Sequence, residues 1–155
     1  MNRSSTRRLG VGAAALALGV TGVLTAAAPA QAREPGRQLQ TDLNGAEEAP
    51  GPGDADGTGQ ATITVLPGKD AQVCWDVSVE NISNPVAGHI HEAPEGVAGP
   101  IVVGFTNATS PDFAGCVSVD PELARDIVRN PADYYVNVHT SDFPGGAVRG
   151  QLSRS

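Results

Sequence analysis

Apolar and polar residues alternate in short runs along most of the chain, and glycine, proline, asparagine and aspartate separate the runs. In residues 73–80, VCWDVSVE, every second side chain is apolar, which is the period of a strand with one buried face. Comparable apolar runs lie at 61–65, 100–105, 115–119, 134–140 and 147–152. Many short strands separated by turn residues are typical of an antiparallel sandwich or barrel. The pattern therefore predicts an all-β fold, an antiparallel Greek-key β-sandwich or barrel.

Residues 121–130 follow a helical rather than a strand period. Asp120 is a suitable N-cap and Pro121 suits the first helical position. Three apolar side chains then recur at helical spacing, Leu123, Ile127 and Val128. Pro131 ends the pattern, so we predict one short helix near 121–130. No sustained alternation of strands and helices follows, which excludes a parallel α/β sheet.

The first 32 residues have the composition of a targeting segment. Basic residues precede a weakly apolar run rich in alanine, and Ala30-Gln31-Ala32 offers the pattern that signal peptidase accepts. A membrane anchor is the rival interpretation, but the cleavage pattern and the low hydropathy favour removal after Ala32, or after Ala30. Thr6-Arg7-Arg8 leaves both the general and the twin-arginine export routes open.

These features predict a secreted, extracytoplasmic protein without a transmembrane segment after cleavage. Its organisation would be a signal peptide over 1–32, a flexible lead over 33–37 and one domain over 38–153. Cleavage would remove three of the ten basic residues and none of the seventeen acidic ones, which changes the formal charge from −7 to −10. Such acidity repels phosphate backbones, so we expect no nucleic-acid partner but an extracellular protein or envelope component.

Cys74 and Cys116 are the two cysteines of the chain. An even number in an exported protein favours a disulfide bond, and the long loop between them would give it about 4 kcal/mol of stabilisation. Metal ligation is the alternative, but neither cysteine has a second one two residues away. Another metal interpretation concerns Asp54 and Asp56, which are spaced like ligands of a calcium loop. The glutamate expected further on is missing, so a flexible, turn-rich connection over 44–59 is favoured.

All three histidines fall in two stretches, GHIHEAP at 88–94 and VNVHTSDFPGGAVRG at 136–150. If the first stretch is a strand, His89 and His91 share a face because successive side chains point to opposite sides. In the second stretch, the same alternation separates the aliphatic residues from His139 and Arg149. If these strands are neighbours, three imidazoles and a guanidinium collect on the outer face of the sheet.

Three imidazoles with an open position suit zinc, copper, nickel or iron, and copper(II) binds most tightly in the general order. Because the rings must be neutral, we expect metal affinity to fall below about pH 6. The alternative is structural, with the histidines hydrogen-bonded to the backbone of loops. Arg149 also has two open roles, an ion pair with Asp142 across a turn or a contact with an anion.

Three blocks of the sequence resemble the signature segments of the CHRD domain, a module repeated in chordin and found singly in many exported bacterial proteins. The blocks are LNGAEEAPGPGDADGTGQATITV, AGHIHEAPEGVAGPIVVGF and YYVNVHTSDFPGGAVRGQL. The resemblance covers residues 38–153 and implies an exported, antiparallel β-rich domain with a binding or structural role. It brings no established catalytic activity, and the two cysteines lie outside its general pattern.

The segment GHIHE is also similar to one of copper/zinc superoxide dismutases in which both histidines bind copper. VH followed by GG-x-x-R is similar to the later copper histidine and active-site arginine of that family. On this resemblance His89, His91 and His139 would hold copper, and Arg149 would steer a small anion. A bridging histidine and a zinc-binding loop have no counterpart, so a two-metal dismutase is excluded.

Two functions follow. The favoured one is a secreted CHRD-type β-sandwich that acts as a binding or structural module for an unknown target, with no certain cofactor. The alternative is a mononuclear three-histidine copper or zinc protein with a redox or metal-handling role. No residue receives a catalytic assignment, because the chain has no Ser-His-Asp order, nucleophile elbow or paired-carboxylate motif.

Overall fold

The computed structural model describes residues 35–155, so the predicted signal peptide over 1–32 lies outside the described residues. The described chain contains nine strands, one α-helix and two short 3-10 helices. The strands are β1 (Arg37–Asn44), β2 (Thr58–Leu66), β3 (Gln72–Glu80), β4 (Pro85–Glu92), β5 (Ile101–Gly104), β6 (Asp112–Ser118), β7 (Tyr134–Thr140), β8 (Val148–Gln151) and β9 (Ser153–Arg154). The helix α1 spans Pro121–Arg129, and the 3-10 helices span Gly45–Glu47 and Pro131–Asp133.

The strands form one antiparallel sheet in the order β5-β4-β7-β8-β1-β2-β3-β6, with β9 beside β1. The pairs β4–β7, β1–β8 and β3–β6 join strands that are far apart in sequence, as in a Greek key. The sheet curls around one hydrophobic core into a nearly closed barrel or sandwich. The all-β prediction is therefore confirmed.

The interior is filled by the aliphatic and aromatic faces of the strands. In β3 the predicted alternation holds, since Val73, Trp75 and Val77 are buried and the residues between them are partly or fully exposed. The Trp75 ring stacks on Phe105, just after edge strand β5, with ring centroids 4.6 Å apart. Phe105 also lies 6.1 Å from Phe113 of the other edge strand, β6. These aromatic contacts fill the core between the two ends of the sheet.

The predicted helix is confirmed as α1. The Asp120 carboxylate accepts a hydrogen bond from the backbone N–H of Glu122, at 2.6 Å, and so caps its first turn. Ala124 and Ile127 are buried against the sheet. Within residues 35–155, no helix is long and apolar enough to span a membrane.

Strand β1 was not predicted from the sequence, and it begins at Arg37, the last residue of the predicted lead. It pairs with β2 over its whole length, from Arg37 opposite Val65 to Asn44 opposite Thr58. Its two buried apolar residues, Leu39 and Leu43, are separated by polar Thr41, which conceals the period of two. The following connection is pinned rather than free, because the backbone N–H of Asp54 donates to the carbonyl of Ala147 at 2.8 Å.

The predicted disulfide bond joins Cys74 of β3 to Cys116 of β6. The two residues lie directly opposite each other in the β3–β6 register, and they are 42 residues apart in sequence. Because β6 is an edge strand with one neighbour, the bond ties the end of the sheet covalently to its interior.

Replacing both cysteines by serine, Cys74→Ser with Cys116→Ser, should lower the free energy of unfolding by about 4 kcal/mol according to loop-closure entropy, because the unfolded chain regains the freedom of the long loop. Equilibrium urea unfolding measures this loss.

The matched control is Ser78→Ala with Asp112→Ala, which removes a side-chain hydrogen bond of 2.7 Å between the same two strands. This exposed contact should contribute about 1 kcal/mol or less. A loss no larger in the cysteine double variant than in this control would contradict the stabilising role of the disulfide.

Candidate metal centre

The central strand β7 positions the polar residues of the site, because it lies between β4 and β8. Its Asn137 is opposite His89 of β4 on one side and Arg149 of β8 on the other. His139, two residues further along β7, is opposite Ala87 and shares the face of Asn137. The register therefore brings both histidine motifs and the arginine to one face of three adjacent strands.

This face was expected on the outside of the sheet, and the structure covers it only in part. Arg149 is 1 % exposed, Asn137 3 % and His91 9 %, whereas His89 and His139 are partly exposed. The connections at 93–100 and 141–147 bond to these polar side chains through backbone carbonyl oxygens, and the connection at 45–57 does so through the side chain of Glu48. These hydrogen bonds allow the polar side chains to be buried.

The three imidazoles lie together. His89 Nδ1 is 3.1 Å from His139 Nε2, and one ligand atom from each of the three rings lies within 4.8 Å of the others. Within residues 35–155, His89, His91 and His139 form the one group whose spacing could hold a metal ion, and Asp54 and Asp56 are not part of it. The convergence expected from the sequence is thus present, while metal ligation itself stays a prediction.

Backbone carbonyls fix the orientation of two rings. His91 Nδ1 is 2.9 Å from the carbonyl oxygen of Gly99, and His139 Nδ1 is 3.1 Å from that of Pro144. A carbonyl only accepts, so each Nδ1 carries the proton and each Nε2 of the neutral ring presents a lone pair, which in His139 accepts a hydrogen bond from His89. His91 Nε2 is buried and has no hydrogen-bond partner among the described residues. The structural role and the metal-binding role therefore use different nitrogens of the same rings.

Burial keeps these rings neutral. Desolvation is the main cause that lowers the pKa of His89 to about 4, and the charge that His139 and His91 would carry lowers it further. Desolvation also lowers the pKa values of His91 and His139, although the carbonyl hydrogen bond of each acts in the opposite direction. The loss of metal affinity expected below about pH 6 assumed ordinary histidine pKa values. With the lowered pKa values, this loss is expected at a lower pH.

Arg149 holds the connection at 93–100 against the sheet. Its guanidinium donates to the carbonyl oxygens of Val97 and Pro94, at 2.9 and 3.0 Å, and its Cζ lies 3.4 Å from the centre of the Tyr135 ring. The ion pair with Asp142 does not form, and Asp142 instead accepts a hydrogen bond from Ser83. Of the two roles expected for Arg149, the structural contact is therefore the one observed, although with different partners.

Glu48 belongs to the same polar layer and was missed by the sequence analysis. The Asn137 Nδ2 group donates to both carboxylate oxygens of Glu48, at 3.0 and 2.9 Å. A Cβ atom at Gly146, whose φ is +141°, would overlap this carboxylate, so the site requires glycine there. Strand alternation in the sequence predicts that Asn137 shares the face of His139. Glu48 follows a 3-10 turn and lies in no strand, so no periodic pattern predicts its position.

Burial raises the pKa of Glu48 from 4.5 to about 7, against the hydrogen bond from Asn137 and the charge of Arg149, which both lower it. Its carboxyl group therefore titrates near neutral pH. Desolvation disfavours the charged form of a buried carboxyl, and one amide group compensates only part of that cost.

Comparison with known proteins identifies one family. The family model described as CHRD domain matches residues 39–152, which is most of the chain. No curated protein and no solved structure matches the sequence.

The variant Arg149→Met should lose about 3 kcal/mol of stability, because it keeps most of the side-chain volume but removes both guanidinium hydrogen bonds to the connection at 93–100. Hydrogen exchange should accelerate at the amides of residues 93–100. Arg154→Met is the matched control, since Arg154 also donates to two carbonyl oxygens, of Val128 and Arg129, but at an exposed position. Equal losses of stability in the two variants would contradict the role of Arg149 in holding the connection at 93–100 against the sheet.

In metal-free protein, His89 should make folding less stable as the pH falls from about 6.5 to 4. A histidine of the unfolded chain takes up its proton near pH 6.5, the ordinary pKa of this side chain, whereas folded His89 does so only near pH 4. The unfolded state therefore binds more protons in this window, and stability decreases on acidification.

The variant His89→Gln should reduce this slope, which urea unfolding at several pH values with a chelator present would measure. Other groups titrate in both proteins, so the difference between variant and wild type isolates His89. If the difference in unfolding free energy between variant and wild type stayed constant over this pH range, the buried, neutral state of the His89 ring would be contradicted.

Proposed function

The chain belongs to the CHRD domain family, and on that premise we propose that it is an exported β-sandwich that binds one copper or zinc ion through His89, His91 and His139. The observation that carries this proposal is the His91 Nε2 atom, which is buried beside two further imidazoles and has no hydrogen-bond partner within residues 35–155. A buried polar atom without a hydrogen bond is costly, and a metal ion would satisfy it. The signal peptide predicted over 1–32 supports an extracytoplasmic location.

The donor set fits such an ion. Imidazole is a preferred ligand of both copper and zinc, and metal-binding histidines commonly donate their other N–H to a backbone carbonyl, as His91 and His139 do. Nitrogen atoms on one metal lie ~3 to 3.5 Å apart. The His89–His139 separation of 3.1 Å already meets this. The widest separation in the group is within 4.8 Å and would have to shorten by at most roughly 1.3 to 1.8 Å when a metal binds.

His89 would change tautomer on binding. The Nδ1–H group of His139 donates a hydrogen bond to the carbonyl oxygen of Pro144, so Nε2 of His139 is unprotonated. This Nε2 accepts a hydrogen bond from Nδ1 of His89, and the neutral His89 ring therefore has its proton on Nδ1. Use of His89 Nδ1 as a ligand requires that proton to move to Nε2. His89 is only partly buried, so solvent can mediate this transfer.

Three protein ligands leave a coordination position open, and a copper ion bound there would supply one-electron chemistry or be held for transfer. The neutral rings need not lose a net proton before they bind at physiological pH, because their pKa values are lowered. Arg149 and the connection at 93–100 limit the access of water to His91. No residue of the chain is assigned a catalytic step.

The second candidate is a binding or structural module for an extracellular protein or an envelope component. Its specific support is three exposed apolar side chains on or near β4 and β5, since Val86, Val97 and Ile101 are 49 to 58 % exposed. Strand β5 is also a sheet edge with one neighbour, and such an edge can pair with a strand of a partner.

Metal analysis of protein purified without an affinity tag should give about one copper or zinc ion per chain, or one copper after incubation near neutral pH and removal of excess metal. The double variant His89→Ala with His91→Ala should remove this ion, because one imidazole cannot hold it against a chelator.

The matched control is Asp54→Asn with Asp56→Asn, which removes two carboxylates of this acidic chain but no imidazole, and its metal content should equal that of the wild type. A wild-type protein that remains empty after copper incubation would remove the metal-binding function and leave the binding module.

A further inference from the structure

We propose that Glu48 is the charge partner of the three-histidine centre, and that it loses a proton when a cation binds there. As a carboxylate it would strengthen cation binding through space, with Asn137 between it and the histidines. Glu48 is thus a positioning and charge-compensating residue rather than a ligand. The inference rests on the function proposed above, and its test distinguishes the two.

The carboxyl group of Glu48 is buried without an opposite charge in contact. The side chain is 9 % exposed, and both oxygens share one donor group, the Nδ2 of Asn137. A carboxylate can accept about four hydrogen bonds, so this environment satisfies it only in part. Among residues 35–155 the only ion pair within 4.0 Å joins Lys69 and Asp70, which are both exposed. A buried carboxylate in such surroundings takes up a proton or requires a nearby positive charge.

The sheet places the histidine centre near Glu48, so a cation bound there would provide the positive charge. Asn137 lies directly opposite His89 and two residues before His139 on the same face of β7. Opposite residues of an antiparallel pair are about 5 Å apart, and two residues along a strand span about 7 Å. Together with the hydrogen bond of 2.9 Å to Asn137, these spacings put the Glu48 carboxyl within roughly 10 Å of the imidazoles.

The other neighbours of Glu48 leave its charge largely uncompensated. From β8, Arg149 is the charged residue that lowers the pKa of Glu48, and from β7, Asn137 lowers it as a neutral donor. The loop at 141–147 presents the backbone of Gly146, and the glutamate's own loop packs Gly53 against its Cγ. Asp54 follows in that loop, where its carboxylate interacts with Asp56. Burial prevails over these effects, and the pKa of Glu48 is about 7.

A bound cation should lower that pKa and so release a proton near neutral pH. Linkage is reciprocal. The bound cation increases the acid dissociation constant of Glu48 by a certain factor, and ionisation of Glu48 increases the affinity for the cation by the same factor. For a dication at roughly 10 Å and an effective dielectric constant near 20, Coulomb's law gives a factor on the order of a few hundred. The factor applies where Glu48 is ionised and disappears at pH values where it keeps its proton in both states.

The test is a copper(II) competition titration of the wild type, Glu48→Gln and Glu47→Gln, near pH 8 and near pH 5. Glu47 is the matched control, because it is the adjacent glutamate, is partly buried and also accepts a hydrogen bond from an asparagine, Asn44. We expect Glu48→Gln to bind copper at least about tenfold more weakly near pH 8, but no more than about fourfold more weakly near pH 5, where Glu48 is protonated in the free protein. Glu47→Gln should match the wild type at both pH values.

Equal affinities of Glu48→Gln and the wild type near pH 8 would overturn the proposal. A loss of the same size at both pH values would also overturn it, because that loss would be structural rather than electrostatic. A wild type that binds no copper would refute the proposed function itself, a result that is distinct from either outcome.

Proton counting in the wild type keeps the proposal testable if Glu48→Gln does not fold. Calorimetric copper titrations in buffers with different ionisation enthalpies give the number of protons released. We expect a release that rises above about pH 4, reaches a maximum near about pH 6 and then declines as Glu48 becomes ionised in the free protein. Ionisation of metal-bound water would instead increase steadily with pH, and a profile without the maximum would overturn the proposal.

Discussion

The pairing of β7 with β4 on one side and β8 on the other is the constraint on which the site depends. Strands from three distant parts of the sequence meet in this register, so Asn137 lies between His89 and Arg149. A slip of one residue in either pairing would turn the histidines or the arginine toward the core, since side chains alternate between the faces. The aliphatic residues Val136 and Val138 oppose such a slip, because it would expose them to the polar layer.

The polar layer survives burial because most of its hydrogen-bonding groups have partners. Arg149, His91 and His139 each bond to a backbone carbonyl of a connection that crosses the face. These side chains therefore hold the loops, and the loops orient the side chains. Two atoms remain without partners in the described part of the chain, His91 Nε2 and Asn137 Oδ1. Both atoms belong to the layer that contains the proposed metal site, and a bound ion would satisfy His91 Nε2.

Electrostatics within the layer are balanced near neutrality. Burial lowers the pKa of His89 to about 4 and raises that of Glu48 to about 7, so both groups resist being charged. The carbonyl oxygens of Val97 and Pro94 and the Tyr135 ring stabilise the guanidinium of Arg149. Such a layer lacks a strong fixed counter-charge at the imidazoles, and a carboxyl that ionises when a cation arrives would provide one without a permanent desolvation cost.

The sequence by itself determined the strand periods, the buried face of β3, the helix at Pro121–Arg129 and the shared face of each histidine motif. These features follow from the local geometry of the pleat and the helix, which a few neighbouring residues set. It also indicated the disulfide, because an exported chain with two cysteines commonly joins them. Strand β1 escaped detection because its middle inward position is Thr41 rather than an aliphatic residue.

Only the tertiary structure decided that the histidine face is partly buried, that Arg149 holds a loop and that Glu48 reaches Asn137 across 89 residues of sequence. Such contacts depend on which distant strands pair and on how the connections fold over them. The energy of these contacts arises between segments rather than within them, so no local period of the sequence records it.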